Sequence, residues 1–206
     1  MEDAPILDVR DLNKSFPGVH ALKDFDLRLE RGEVHAIVGE NGAGKSTFLK
    51  ILSGELHPDA GTIQFDGKEV AIRNTKAART MGIGMVYQEV TLVPTLSVAE
   101  NVFLGTPPKR GPLGAIDWAT MYRQAEQRLG EYGVIADVQR QAREYGVGQQ
   151  QLIETVRALN PELRLLMLDE PTSALSQEQI QILFDDVIRP MRKQGITVIY
   201  ISHRLD

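Results

Sequence analysis

Apolar residues recur along this chain with a period near two in some stretches and near 3.6 in others, which separates strands from helices. Residues 6–12 and 21–30 read as strands. In the second, Phe25, Leu27 and Leu29 alternate with Asp26, Arg28 and Glu30, as a half-buried strand requires. Between them Lys14 to Gly18 places an aromatic, Phe16, in a turn. After Arg31-Gly32 a short apolar strand covers 33–38, and a helix covers 45–53 with Phe48, Leu49, Ile51 and Leu52 on its apolar side. Gly54 stops that helix. Residues 62–65 and 68–70 flank Asp66-Gly67, a hairpin signal, so an antiparallel β piece is expected. Asn74 caps a helix to Met81, and an apolar strand over 83–87 ends at Gln88.

Beyond Gln88 the pattern turns helical. Ser97-Val98-Ala99-Glu100 is a capping box and starts a helix to Leu104. Residues 106–114, rich in Pro, Gly and basic side chains, read as an exposed loop. Asp117 caps a helix whose Trp118, Met121, Tyr122, Ala125 and Leu129 form a core-facing stripe, and a further helix over 149–159 stops at Asn160-Pro161. A second apolar strand, 164–168, delivers Asp169-Glu170. A helix over 175–189 follows, and a third buried strand, 196–201, ends at Ser202-His203. The expected division is an α/β core from 1–87 and 161–206, with 88–160 inserted as a helical subdomain.

Composition narrows the setting. With 206 residues the chain suits one domain with a small inserted lobe, and its net charge of −5 gives no general polyanion-binding surface, so no nucleic-acid partner is expected. It has no cysteine, so disulfides and thiolate metal sites are absent. Its start is acidic and lacks an export pattern, and its longest apolar runs are too short to span a bilayer. Any membrane role then goes through a partner.

The chemistry centres on Gly39-Glu40-Asn41-Gly42-Ala43-Gly44-Lys45-Ser46-Thr47, which fits the phosphate-loop pattern between a strand and a helix. A phosphate chain needs clustered donors and a backbone that curls around its oxygens. Gly39, Gly42 and Gly44 can reach φ values closed to other residues, and the helix beginning near Lys45 adds its positive dipole end. Lys45 would reach the β- and γ-phosphates, Ser46 would ligate Mg²⁺ and Thr47 would contact the α-phosphate. Downstream, the apolar strand ending in Asp169-Glu170 has the form of a Walker B segment. There Asp169 would hold the metal and Glu170 would deprotonate the attacking water. The fold expected from these motifs is an α/β P-loop NTPase core with a mostly parallel sheet, an antiparallel β subdomain and an inserted helical subdomain.

With Gln88 ending a strand, Tyr145-Gly146-Val147-Gly148-Gln149 opening a helix, Pro171 to Leu175 after Glu170, and His203 after the third strand, the chain resembles an ABC ATPase over nearly its whole length. Phe16-Pro17-Gly18-Val19, the phosphate loop, Glu100 to Gly105 and Gly148 to Gln151 look more narrowly like the first nucleotide-binding half of bacterial sugar-importer ATPases. The ribose, galactose and xylose importers are of this type. The resemblance implies ATP and Mg²⁺ as ligands and hydrolysis of ATP to power carbohydrate import. It implies adenine stacking on Phe16, γ-phosphate and metal sensing by Gln88, and γ-phosphate contact by His203. Gly146, Gly148 and Gln149 would contact nucleotide held by a second ABC half, and residues 173–176 would signal between the halves. The implied partners are that half, transmembrane permease subunits facing residues 89–96, and indirectly an external sugar-binding protein. The implied location is the cytoplasmic face of the cell membrane.

Two departures qualify the match. The signature segment, usually L-S-G-G-Q, has Tyr145, Gly146 and Val147 in its first three places, so the serine hydroxyl that would bond the γ-phosphate is missing. The family's domain continues past the histidine, so this chain is expected to be incomplete at its carboxyl end, with low activity in isolation. On the residues alone, a soluble ABC ATPase of DNA repair or translation and a nucleotide-binding module with little hydrolysis stay open as alternatives.

Overall fold

The computed structural model describes residues 4–111 and 114–202. They pack as two units. The first takes the described residues up to Gln88, Asn160–Pro171 and those from Met191 on; the second takes Glu89–Leu159 and Thr172–Pro190.

In chain order the first unit has β1 (Leu7–Phe16), β2 (Val19–Leu29), β3 (Val34–Val38), α1 (Lys45–Leu52), β4 (Ala60–Phe65), β5 (Lys68–Glu69), α2 (Thr75–Thr80) and β6 (Ile83–Val86). The second unit follows with α3 (Val98–Val102), the short pair β7 (Lys109–Arg110) and β8 (Ala115–Ile116), α4 (Trp118–Glu131) and α5 (Val147–Ala158). After β9 (Leu165–Asp169), one continuous helical stretch runs through α6 (Gln177–Gln181), a π segment (Ile182–Ile188) and α7 (Arg189–Lys193) before β10 (Thr197–Ser202).

Two four-stranded sheets build the first unit, an antiparallel one in the order β2-β1-β4-β5 and a parallel one in the order β3-β10-β9-β6. Strand β9 is buried at every position, as a central parallel strand covered on both faces should be. Helix α1 joins the sheets: Phe48, Leu49, Ile51 and Leu52 share one core with Leu7, Val9 and Phe65 of the antiparallel sheet and with Leu165, Met167, Ile199 and Ile201 of the parallel one. The rings of Phe25 and Phe48 lie 4.8 Å apart at a tilt, a favourable aromatic pairing. Local signals explain several boundaries. Asn74 caps α2 by accepting from the Ala77 N–H at 2.9 Å, and Asp66-Gly67 turns β4 into β5 with both residues at positive φ.

The structure departs from the sequence pattern in several places, including the expected loop over 106–114, part of which pairs as β7 with β8. Strand β1 runs on to Phe16, so the ring lies at a strand end opposite Val19 and the turn is only Pro17-Gly18. Register breaks between Val9 and Lys14 and positive φ at Asp11 and Asp24 interrupt the alternation there, which hid the strand. On α4, Met121, Ala125 and Leu129 are buried, but Trp118 stays 43% exposed and rests beside Tyr122 at 6.0 Å. Residues 172–190, expected in the α/β core, group with the helical unit, where Gly148 and Gln179 come into close contact. The expected helix over 175–189 starts at Gln177 under a Ser176 cap and continues past Pro190, with the π segment just before that residue. Proline cannot donate to the helical ladder and crowds the carbonyl four residues back, which accounts for the irregular turn.

In the second unit the loop after Glu89 is held by a buried side chain. Asn101, fully buried, accepts from the Val93 N–H at 2.7 Å and donates to the carbonyls of Val93 and Ser97, each at 3.0 Å. Replacing Asn101 with Leu takes the acceptor from the part-buried Val93 N–H, while the Val93 and Ser97 carbonyls keep the backbone N–H groups of Leu96 and Asn101, at a cost of about 2 kcal/mol. The expected result is a Tm lower by about 4–8 °C in a thermal melt, without loss of the α3 capping box.

Candidate nucleotide site

Strand β3 ends at Val38, the loop occupies residues 39–44, and α1 starts at Lys45. Gly44 sits at φ 86° as the amino cap of α1, and a Cβ there would lie 2.1 Å from the carbonyl oxygen of Ala21. The loop is thus pressed against β2 at a point only glycine permits. Gly42 also has positive φ, whereas Gly39, expected to share that conformation, does not adopt it. No side chain caps α1 and its first turn carries no acidic residue, so the helix end keeps its positive dipole for an anion. Lys45 folds back over the loop, its Nζ donating to the carbonyls of Gly39 at 2.6 Å and Glu40 at 2.9 Å. The same ammonium is thereby held at the loop, close to where phosphate oxygens would enter.

Parallel register brings the other groups to the same edge. Ser202 pairs with Val38, Ile201 with Asp169, and Val86 with Leu168, so the chain positions just past β3, β9 and β6 align at their carboxyl ends. Gln88 and Glu170 each lie two residues past the Val86–Leu168 pair, and Gln88 Nε2 donates to Glu170 Oε2 at 3.1 Å. Glu170 is held at φ 50°, a left-handed conformation that costs a non-glycine residue about 1 kcal/mol or more. Its N–H donates to the Ile201 carbonyl at 3.1 Å, which fixes that conformation. Asp169 is only 6% exposed, and the Ser46 hydroxyl is among the groups that act on its charge. Burial pushes its carboxyl above the usual range. The Ser46 hydroxyl opposes the shift, Glu170 adds to it, and Lys45 counters it.

The donor set fits Mg²⁺. Ser46 and Asp169 offer hard oxygens, and that ion takes one or two carboxylates and completes its shell with phosphate and water. Among the described residues no cluster of three or more His, Cys, Asp or Glu forms an all-protein cage. The Phe16 ring, 39% exposed, lies at the end of the same hairpin that supplies Ala21 to Gly44, with Lys14 Nζ 5.7 Å from its centroid. Opposite it Val19, the last residue of the Phe16-Pro17-Gly18-Val19 stretch, is 60% exposed.

Residues 22–173 match the ABC transporter family. The chain belongs to that family. It is 45% identical over 202 residues to the ribose import ATP-binding protein of Rubrobacter xylanophilus, covering 98% of this chain and 40% of that relative. It is 42% identical over 201 residues to the galactofuranose transporter ATP-binding protein of Escherichia coli K12, covering 98% of this chain and 40% of that protein. A solved ATP-binding cassette of an ABC transporter, in its ADP conformation, aligns with a TM-score of 0.83 at 26% identity, covering 98% of this chain and 82% of that one. The fold is that of an ABC ATPase cassette, and the chain spans about 40% of the length of the curated relatives it matches.

Residues 145–149, expected to be the ABC signature segment, lie in the second unit. Gly146 is the amino cap of α5, in extended conformation and with no side-chain cap. Gln149, expected to meet nucleotide, donates through Nε2 to the Ile135 carbonyl at 2.8 Å. A Cβ on Gly148 would lie 2.3 Å from Gln179 Oε1 and 3.0 Å from the Ala174 carbonyl, so residues 174–179 pack closely on the first turn of α5. Ile135 and Val147, 90% and 58% exposed, are apolar neighbours of this segment in the sequence or through Gln149, and neither was legible as a site residue. His203 lies outside the described residues.

Because burial raises the folded-state pKa of Asp169, that group destabilises the fold as pH rises through its unfolded value toward its folded one. Asp169→Asn removes the penalty. Without divalent ions it should melt higher than wild type at pH 7, by about 2–4 °C per kcal/mol released, with the gain vanishing at low pH. Scanning calorimetry across pH, with and without Mg²⁺ and ATP, checks this; the variant should lose the Mg²⁺-dependent part of ligand stabilisation.

Proposed function

We propose that this chain is the ATP-binding and hydrolysing part of a carbohydrate importer, driving a membrane permease from the cytoplasmic face of the membrane. The observation that carries the reading is the contact of Gln88 with Glu170 at the sheet edge where the phosphate loop and the buried Asp169 also emerge. The relatives' sugar-import names support the substrate class.

Phe16 stacks on adenine, while the backbone of residues 39–47 and the end of α1 hold the phosphates. Asn41 and Ala43 contribute through the loop backbone, and Thr47 contacts the α-phosphate. Ser46, Gln88 and Asp169 would hold Mg²⁺, which when bound would offset negative charge on the phosphates. Lys45 leaves the loop carbonyls for the same oxygens. Gln88 keeps the Glu170 carboxylate turned toward the reacting water. Glu170 takes a proton as the water oxygen bonds to the γ-phosphorus, and the bond from that phosphorus to the β–γ bridging oxygen breaks, releasing ADP. His203 contacts the γ-phosphate. A second ABC half supplies the opposing signature, and this chain's Gly146, Gly148 and Gln149 serve the nucleotide of that half. Permease subunits meet residues 89–96, and an external sugar-binding protein delivers the cargo.

Gly146 supports a second element of the reading, that the composite site completed by this signature is the weaker of two. Serine fits there, since a Cβ on Gly146 meets nothing within 4 Å and φ is −62°.

Two outcomes are expected in the two-half protein assembled with its permease. Glu170→Gln binds ATP as wild type does but loses turnover by about 10²–10⁴-fold in a phosphate-release assay; near-normal turnover removes Glu170 from the base role. Gly146→Ser, with the other composite site silenced, raises turnover about tenfold through one added charge-assisted hydrogen bond. An unchanged rate contradicts the weak-site reading.

A further inference from the structure

The boundary between the two packing units falls directly after Gln88. Three residues later, in the second unit, Thr91 is gripped by a carboxylate that the hydrolytic site does not use. Glu154, on α5, is 1% exposed. Its Oε2 accepts from the Thr91 N–H at 3.0 Å and its Oε1 accepts from the Thr91 hydroxyl. Arg157, one turn along the same helix, donates to Glu154 Oε1 at 2.9 Å and also to the Thr91 hydroxyl and carbonyl. Backbone and side chain of one exposed residue are therefore fixed to the helix that begins at the signature segment.

A buried carboxylate is costly unless it is paired and fully hydrogen-bonded, and an apolar side chain would fill this place on α5 at less cost. What the charge adds is a directional anchor. Val93 is pinned separately by Asn101, so the loop has a support that does not depend on Glu154. The clamp acts at the end of the loop nearest Gln88.

We propose that Glu154, with Arg157, is a positioning residue for Gln88: it fastens Thr91, three residues along the chain, and so limits the conformations open to Gln88 through the backbone of residues 89–91. This rests on the hydrolytic reading above, in which the contact between Gln88 and Glu170 orients the base. Glu154 touches no reacting atom, and its effect runs through Thr91 and the backbone of residues 89–91. The expected signature is a loss of turnover without a loss of nucleotide affinity, because the phosphate loop belongs to the other packing unit.

The test uses the full two-half protein assembled with its permease, the other composite site being silenced. Glu154→Gln replaces one acceptor oxygen with a donor that faces the donors of Thr91 and Arg157. We expect kcat for ATP to fall about ten- to a hundredfold while ATP affinity, read with a non-hydrolysable analogue, stays within about twofold. Thr91→Val, which keeps the N–H and loses the hydroxyl, should give a smaller loss of the same kind. The double variant should be no worse than Glu154→Gln alone, as expected for groups in one network. Glu154→Asp should recover part of the rate. The proposal is overturned if the Glu154→Gln and Thr91→Val rates match wild type, if affinity and rate fall together with Tm, or if the two losses add. Should Glu154→Gln not fold, Thr91→Val decides by the same rate and affinity criteria. An inactive wild-type complex instead strikes the hydrolytic reading itself, so the two failures are distinct.

Discussion

The parallel pairing of β10 with β3 on one side and β9 on the other is the constraint on which the rest depends. Because Ser202 sits opposite Val38 and Ile201 opposite Asp169, the phosphate loop and the carboxylate pair must emerge at one edge. A slip of one residue would turn Asp169 to the other face of the sheet and part it from Ser46. Register is held by burial: Leu165, Met167, Ile199 and Ile201 are all enclosed with the apolar side of α1, the helix that the loop opens. The core and the site are thus one arrangement. Burial that stabilises the sheet also desolvates Asp169, raising its pKa and leaving a carboxylate that gains from a nearby cation.

That edge also carries strain. Glu170 occupies a left-handed conformation, and Gly44 approaches Ala21 more closely than any side chain allows. Both are costs that an inert strand-to-helix turn would not need. In the second unit, Glu154 and Asn101 spend buried polar groups on one loop, the loop that continues from Gln88. Polar groups are thus buried where geometry has to be kept, on both sides of the unit boundary at Gln88.

Much of this was legible in the sequence, for identifiable reasons. The strand, glycine loop and helix around Lys45 follow from short-range pattern, as do the caps at Asn74, Ser97 and Asp117. Asp169 and Glu170 were visible as a polar pair ending an apolar run. The far half of β1 was hidden because its bulges break the alternation and are followed by the polar run Asn13-Lys14-Ser15, and Phe16 was placed in the turn in consequence. The conformation of Gly39 could not be told from that of Gly42, since composition permits both. The Glu154 clamp escaped notice for a different reason: Thr91 lies 63 residues away, and a glutamate on a helix carries no sign of its partner until the chain is folded. Trp118 matched the apolar spacing of α4, yet its size and position at the first turn leave it at the surface.

In the proposed function this sheet edge directs water onto the γ-phosphorus of ATP. The most direct measurement is the hydrolysis of ATP in ¹⁸O-enriched water by the assembled two-half protein, followed by mass analysis of the products. The account predicts that each released phosphate acquires a single solvent oxygen and that ADP remains unlabelled. Intact ATP after prolonged incubation of a folded, nucleotide-bound complex, or label appearing in ADP, would contradict it.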